Sequence, residues 1–166
     1  MAHMLYGCTD PNPKTVEYPV NASDVYAHAG ANFVILGSDG YVTPALTGST
    51  TIFGYAIIPK GTGAGTASAD WKANATDAVD KVPVILASDG YSFLVPADDT
   101  ATVGQSGDAC DLLNASATDT TASLVDIGTS STDVFIIQEL ATNRHEGAAG
   151  TDIVVKVNPA KLQADT

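Results

Sequence analysis

The chain has little positive charge. It carries 7 Lys and Arg residues against 19 Asp and Glu residues, which gives its 166 residues a formal net charge of -12 at pH 7. A protein that binds duplex DNA, RNA or an anionic membrane needs clustered cations to neutralise phosphate groups. The composition therefore predicts no nucleic-acid partner and no membrane partner.

Cysteine and histidine are also scarce. The two cysteines, Cys8 and Cys110, are too few and too far apart in sequence to make a disulfide framework. They are expected to be free thiols, although a single disulfide between them stays open. Residues 1–3 are interpreted as a cloning scar, which leaves His28 and His145 as the informative histidines.

Long hydrophobic runs are missing too. No apolar run reaches the ~18 residues that would span a bilayer, and no secretory signal sequence is expected. Together with free thiols, this predicts synthesis in a reducing cytoplasm. What the chain does have is 45% hydrophobic residues against 16% charged residues, which is the composition of a folded protein rather than a disordered one.

The predicted architecture is all-β, a small β-barrel or β-sandwich, with one short helix near residues 68–80. The expected organisation is an N-terminal β lobe with an extended arm (4–66), a connecting helix (67–80) and a C-terminal β lobe (81–166). The lobes are either separate or parts of a single domain. A Gly- and Thr-rich stretch at 61–66 is expected to be an exposed loop.

Short β-prone runs separated by turn residues dominate the sequence. Residues 32–36 lead through Asp39-Gly40 into 41–43, and an Asp-Gly pair tolerates the backbone of a tight hairpin. The windows 35–41 and 85–91 differ at one position. They predict a second hairpin of the same kind, which arose either by duplication or by convergence.

Further strands are predicted at 51–58, 123–127, 133–137 and 152–157 from their β-branched and aromatic residues. A turn at 128–131 is expected to join the second and third of these strands into a hairpin.

Two helical features are expected. Trp71, Ala75 and Val79 recur every fourth residue after a capping Ser68, which predicts the short helix. Asn158-Pro159 fits a helix cap followed by proline, which predicts one helical turn after the last strand.

No catalytic residue and no cofactor are assigned. A nucleophilic enzyme would need His28 or His145 beside a serine, or beside a cysteine such as Cys110. Nothing in the spacing brings these groups together, so the favoured interpretation is a loop histidine and a packed thiol. The chain is therefore expected not to be an enzyme.

No metal ligand is assigned either. Carboxylates are plentiful, but they lack the alternating pattern of a calcium-binding helix-loop-helix. They are expected to solvate loops and cap turns, with a calcium site as the minor alternative. The aspartates concerned are Asp98, Asp99, Asp108, Asp111 and Asp119.

The N-terminal arm supplies the predicted interface. Its apolar and aromatic residues are Leu5, Tyr6, Val16, Tyr18 and Tyr26. Two interpretations stay open. The arm either adds a strand to a neighbouring chain or lies as an edge strand on its own barrel.

Several windows carry a resemblance to a known family. An Ala- and Gly-containing stretch leads to a short strand and a turn, then to a strand with an Ala-x-x-Gly step, then to an Ile-x-Gly-x-Ala strand. This pattern resembles the head-decoration, or capsid-stabilising, proteins of tailed bacteriophages. The matching windows are 30–36, 39–42, 44–49 and 52–56, followed by 93–100, 103–104, 110–112 and 125–127.

The resemblance implies a β-rich module on the outer capsid surface that reinforces the shell. It also implies the major capsid protein as the partner, and a homotrimer or a monomer that assembles on the capsid. The acidic composition agrees with a place outside the particle, away from packaged DNA. The alternative is a carbohydrate-binding or receptor-binding β module of a viral or bacterial surface fibre, which predicts exposed aromatic residues.

Overall fold

The computed structural model describes residues 6–27, 30–58, 70–117, 123–128, 130–140 and 152–164. Their regular structure is β-strand apart from short 3-10 turns, which confirms the all-β prediction. The strands are β1 (Gly7–Cys8), β2 (Val16–Pro19), β3 (Val25–Tyr26), β4 (Phe33–Leu36), β5 (Val42–Pro44), β6 (Gly54–Ala56), β7 (Trp71–Lys72), β8 (Lys81–Leu86), β9 (Ser92–Pro96), β10 (Ala109–Leu113), β11 (Leu124–Asp126), β12 (Phe135–Leu140) and β13 (Asp152–Val157).

One sheet has the strand order β2-β8-β6-β4-β5, with every neighbouring pair antiparallel. The sheet curls until its two edges meet. Val20, the residue after β2, forms a parallel bridge with Val42 of β5, and the Asn21 N–H donates to the Val42 carbonyl at 3.4 Å. These five strands are called the first barrel.

The other large sheet has the order β1-β9-β13-β12-β10-β11. It closes in the same way: Ala97, the residue after β9, forms a parallel bridge with Val125 of β11, and the Asp98 N–H donates to the Val125 carbonyl at 3.0 Å. Strands β9 to β13 are called the second barrel, and β1 lies on the outer edge of β9.

The two barrels repeat one topology. Taken in chain order, the five strands are β2, β4, β5, β6 and β8 in the first barrel and β9 to β13 in the second. In both barrels the first strand pairs with the last, the last with the fourth, the fourth with the second, and the second with the third. The first strand of each ends in a proline, Pro19 or Pro96, and the closing parallel bridge comes one residue later.

The strand registers agree as well. Each antiparallel pair of the first barrel has a counterpart at the same step around the second, so residues of the two barrels can be matched one to one. Matched pairs are Leu36–Val42 with Leu112–Val125, Val34–Gly54 with Cys110–Phe135, Gly54–Leu86 with Phe135–Val157, and Val16–Val84 with Phe93–Val155. The described chain is therefore an internal structural repeat, and residues matched in this way are called equivalent.

The repeat extends beyond the strands. The last strand of each barrel runs into a 3-10 turn, Ala87–Asp89 in the first and Pro159–Lys161 in the second. The Ala87 N–H donates to the Phe53 carbonyl, and the equivalent Asn158 N–H donates to the equivalent Val134 carbonyl, both at 2.9 Å. The Asn158 side chain accepts from the Ala160 N–H, which confirms the predicted cap and final turn.

Side chains alternate between two cores. Within β4, Val34 and Leu36 point into the first barrel, whereas Phe33 points out of it. Phe33 packs against Phe135 and Phe93 of the second barrel, with ring centroids 4.4 Å and 5.4 Å apart. The interior of the second barrel and the outer face of the first therefore form one continuous hydrophobic core.

The strands do not follow the expected lobe boundary at residue 81. Strand β8 follows this boundary in sequence but belongs to the first barrel, and β1 precedes it but pairs within the second sheet. Because the two barrels also share a core, strands from both sides of the boundary pack together.

One predicted hairpin is confirmed and its apparent duplicate is wrong. Strands β4 and β5 pair through the Asp39-Gly40 turn. Strands β8 and β9 lie in different sheets, so the similar window 85–91 is a crossover between barrels. The difference lies at Gly37 and Ala87. A Cβ on Gly37 would lie 2.5 Å from the Asp39 carboxylate oxygen that accepts the Tyr41 N–H, whereas Ala87 is buried and hydrogen-bonded to Phe53.

The predicted hairpin around residues 128–131 is also wrong. Strands β11 and β12 do not pair with each other, because β10 lies between them and pairs with both.

The predicted helix at 68–80 is wrong over its described residues, 70–80. Trp71–Lys72 is strand β7, which pairs with β3, and turns follow it. Polar side chains favour the turns: the Asp80 carboxylate accepts the Asn74 N–H at 2.7 Å, and Ala78 adopts a φ of 58°. These local hydrogen bonds outweigh the helical preference that the spacing of Trp71, Ala75 and Val79 indicates.

Candidate interaction surface

The described part of the N-terminal arm packs on its own chain. Gly7 and Cys8 pair with Leu94 and Phe93, and the Thr9 N–H donates to the Ser92 carbonyl at 2.9 Å. This is the edge-strand arrangement of the two interpretations that the sequence left open.

Tyr6 anchors the start of the arm. Its hydroxyl donates to the Asp152 carboxylate at 3.0 Å. Burial, this hydrogen bond and the negative charge of Asp152 raise the pKa of Tyr6 to about 12, so the phenol stays a donor at neutral pH.

The arm then crosses from the second barrel to the first. The Lys14 N–H donates to the Tyr91 hydroxyl at 3.1 Å, which holds the arm next to the start of β9. A groove of about 180 Å³ lies beneath the arm. That volume is smaller than the roughly 300–1,000 Å³ typical of small-molecule sites. Its lining residues are Gly7, Cys8, Asp10, Pro13, Tyr55, Ile57 and Ile85.

The cysteines lie in surroundings that suppress reactivity. Both are free thiols. Burial raises the pKa of the Cys8 thiol in the groove. Burial together with nearby carboxylates, Asp111 first among them, raises the pKa of Cys110 to about 12. A protonated thiol is a poor nucleophile, so neither cysteine is activated. His28 and His145 lie outside the described residues.

The predicted interface residues separate into different environments. Val16, on the edge strand β2, is 38% exposed. Tyr18 is half-buried and packs edge-on against Phe53, with ring centroids 5.0 Å apart. Tyr26 is 1% exposed, so it cannot contact a partner, and Leu5 lies outside the described residues. Of the five predicted residues, Val16 best fits a contact surface.

The single tryptophan does not form an exposed aromatic platform. Trp71 is half-buried and lies against Tyr26, with ring centroids 5.6 Å apart. This contact belongs to the ribbon β3–β7 that covers the first barrel.

Two buried polar groups lie at the β3 side of the same ribbon. Asp24 is 4% exposed, and within the described residues its Oδ2 and the Tyr26 hydroxyl have no hydrogen-bond partner. Burial raises the pKa of Asp24 to about 6; a hydrogen bond from Thr43 opposes this rise and the charge of Asp77 adds to it. Burial also raises the pKa of Tyr26.

Asp111, one of the aspartates considered for calcium, has a structural role. Its two oxygens accept the N–H groups of Ser131, Thr132 and Asp133 and the Ser131 hydroxyl, at 2.6 to 3.1 Å. Burial raises the pKa of Asp111, but these hydrogen bonds outweigh it and lower the pKa to about 2. The carboxylate is thus saturated with donors and fixes the loop before β12.

The sequence could not assign this role, because the acceptor and its donors come from separate segments. Within the described ranges, no three His, Cys, Asp or Glu side chains form a group that could hold a metal ion.

The strongest surface feature is the outer edge of β2. The Val20 N–H donates to the Asp80 carbonyl at 3.1 Å, toward β8. Backbone groups alternate in direction along an antiparallel strand. The N–H and C=O of Glu17 therefore point away from β8, along the edge where Val16 is exposed.

Comparison with known proteins gives no family for this chain: no family model, no curated protein and no solved structure matches it. Among the described residues, no helix has the length and apolar character needed to cross a membrane.

Proposed function

We propose that this chain is a virion structural protein that binds the outer surface of a bacteriophage capsid and stabilises it by bridging capsid subunits. The proposal starts from the resemblance of its strand-and-turn windows to capsid-decoration proteins. The observation that carries it is the junction between the two barrels, which joins two similar units of a strongly acidic chain into one block.

Several contacts make this junction stiff. Aromatic rings from both barrels pack together, with Tyr55 stacked on Phe93 at 5.1 Å. The Ser123 hydroxyl donates to the Ala31 carbonyl, and the Asn114 amide donates to the Ala45 carbonyl, both at 2.8 Å. A stiff block loses little conformational entropy when it docks, so more of the contact energy remains as affinity.

The end of the described chain strengthens the same junction. The Gln163 side chain accepts the Leu36 N–H at 2.9 Å and donates to the Leu36 carbonyl at 2.6 Å. Leu162 forms a parallel bridge with Ile52. Because these contacts fasten a segment after the second barrel onto the first, a pull on one barrel is transmitted to the other.

The charge supports a position on the outside of the particle. A net charge of -12 is repelled by packaged nucleic acid and keeps a surface protein soluble. In this mechanism the major capsid protein is the partner, and each molecule, as a monomer or within a trimer, contacts neighbouring capsid subunits. Repetition over the lattice multiplies modest single contacts, and no catalytic step is involved.

Co-sedimentation with undecorated, expanded heads of the virus that encodes the chain tests this function. The expected result is saturable binding with a fixed number of copies per capsid subunit, together with a higher temperature of head disruption. At about 10 µM protein, a dissociation constant of 1 µM would fill about nine-tenths of the sites. Failure to sediment with heads at that concentration contradicts the proposal.

A further inference from the structure

The two barrels differ at one equivalent edge. In the second barrel, β1 lies along the outer edge of β9 and pairs with Phe93 and Leu94. The equivalent residues of the first barrel are Val16 and Glu17 on β2. Within the described residues no strand pairs with Val16 and Glu17 on the side away from β8, since the closing bridge to β5 begins only at Val20.

The two equivalent edges also differ in how exposed their side chains are. Phe93, which pairs with Cys8 of β1 and packs against the aromatic rings of Phe33 and Tyr55, is 0% exposed, whereas the equivalent Val16 is 38% exposed. Val16 is also one of the few large hydrophobic side chains exposed among the described residues. An apolar side chain on a strand edge with outward backbone groups suits strand addition.

We propose that the outer edge of β2 binds an extended segment of the capsid partner, which adds as an antiparallel strand in the way that β1 adds to β9. This inference rests on the proposed function and names the surface that performs it. The proline at the end of the strand does not prevent such pairing, because β9 ends in the equivalent Pro96 and still receives β1.

The chemistry of the edge selects the occupant. Gly7 lies opposite Leu94, the equivalent of Glu17, so the residue of the segment that faces Glu17 takes the place that Gly7 has on the second barrel. The Glu17 carboxylate favours a Lys or Arg on the incoming segment.

A second copy of the chain is disfavoured as the occupant. It would bring another charge of -12 and, in an edge-to-edge dimer, a second Glu17 close to the first. Like charges on facing strands oppose pairing, so the edge rejects its own copies while it accepts a neutral or basic strand.

The test compares two substitutions at one position in the head co-sedimentation assay. Glu17→Pro removes the outward N–H, and proline is tolerated where the N–H of an edge strand faces solvent. Glu17→Gln removes the charge and keeps the N–H. We expect Glu17→Pro to weaken head binding about 10-fold and Glu17→Gln to weaken it less than about 3-fold.

Thermal unfolding of both variants checks that the first barrel is intact. Val16→Ser provides a second probe of the edge, with an expected loss of several-fold in head binding.

Head binding unchanged by both Glu17→Pro and Val16→Ser overturns the inference while the proposed function stands. An equal loss from Glu17→Gln and Glu17→Pro also overturns it, because it assigns the contact to the charge. A dimer in light scattering that Glu17→Pro dissolves would identify a second copy as the occupant and likewise overturn it. If the unmodified protein does not bind heads, the proposed function itself fails.

Discussion

The two barrels share a backbone register and differ in how they are filled. Gly54 of the first barrel is equivalent to Phe135 of the second. At Gly54 a Cβ would lie 2.5 Å from the Ile85 carbonyl oxygen, so the strands approach too closely for any side chain. At Phe135 a full ring is buried at 0% exposure. One strand arrangement therefore admits no side chain at this position of the first barrel, called the narrow barrel, and a full ring at the equivalent position of the second, called the wide barrel.

This difference explains how the barrels join. The wide second barrel holds Phe93 and Phe135, and the outer face of the first presents Phe33 and Tyr55 to them. Half of the buried residues in the core of the narrow first barrel are Val, and Val16, the equivalent of Phe93, is partly exposed. The difference in filling thus lets the first barrel pack on the second, while Val16 and Glu17 on the outer edge of β2 have no paired strand among the described residues.

The largest expected effect comes from emptying the wide barrel. Phe135→Ala removes the ring that lies 4.4 Å from Phe33, centroid to centroid, and leaves a cavity at the junction. We expect a loss of about 3–5 kcal/mol in the free energy of unfolding, measured by urea denaturation. The matched control is Leu113→Ala on the neighbouring strand β10, where the side chain is 38% exposed, with an expected loss below about 1 kcal/mol. Similar losses for the two variants would show that the ring does not hold the junction.

Adding a side chain to the narrow barrel should lower the free energy of unfolding by less than Phe135→Ala does. Gly54→Ala forces β6 away from β8, because its Cβ would lie 2.5 Å from the Ile85 oxygen and 2.6 Å from Val84 Cγ1. Overpacking of this kind costs about 1–3 kcal/mol, again read from urea denaturation. Gly104→Ala is the control, since its Cβ would meet its nearest neighbour at 3.9 Å. A Gly54→Ala variant as stable as this control would contradict the tight approach of the strands.

The sequence predicted the all-β class, the 32–43 hairpin, the last strand and its capped turn, because each depends on residues close together in the chain. It did not predict the repeat. The similar windows 35–41 and 85–91 are not equivalent positions, while equivalent residues range from identical, as Pro19 and Pro96 are, to unrelated, as Gly54 and Phe135 are. Strand register repeats here through backbone pairing, which adjacent residues do not encode.

The candidate surface was predicted only in part, because it also depends on strand pairing between distant segments. Val16 is predicted from its apolar side chain in the arm, and it lies on an exposed edge. Tyr26 is predicted by the same criterion but is buried, because its environment depends on a ribbon with Trp71, and the spacing of apolar residues predicts a helix there instead. Only the comparison of β2 with β9 shows which edge has no paired strand in the described part of the chain.

The smallest expected effect tests a place where the barrels differ in polarity. Asp111 of the second barrel is equivalent to Ile35 of the first. Its hydrogen bonds to residues 131–133 outweigh burial and hold its pKa near 2, below the value of about 3.9 for an unfolded chain. A lowered folded-state pKa contributes stability above pH 4 that is lost as the pH falls toward 2.

Asp111→Asn keeps one acceptor oxygen but removes the charge, so we expect a loss of about 1 kcal/mol in the free energy of unfolding at pH 7. Urea denaturation between pH 7 and pH 2 should show the gap between the two proteins closing below pH 4. A gap that stays constant down to pH 2 would mean that the charge of Asp111 does not stabilise the loop, and that the second barrel holds its polar residue for its shape alone.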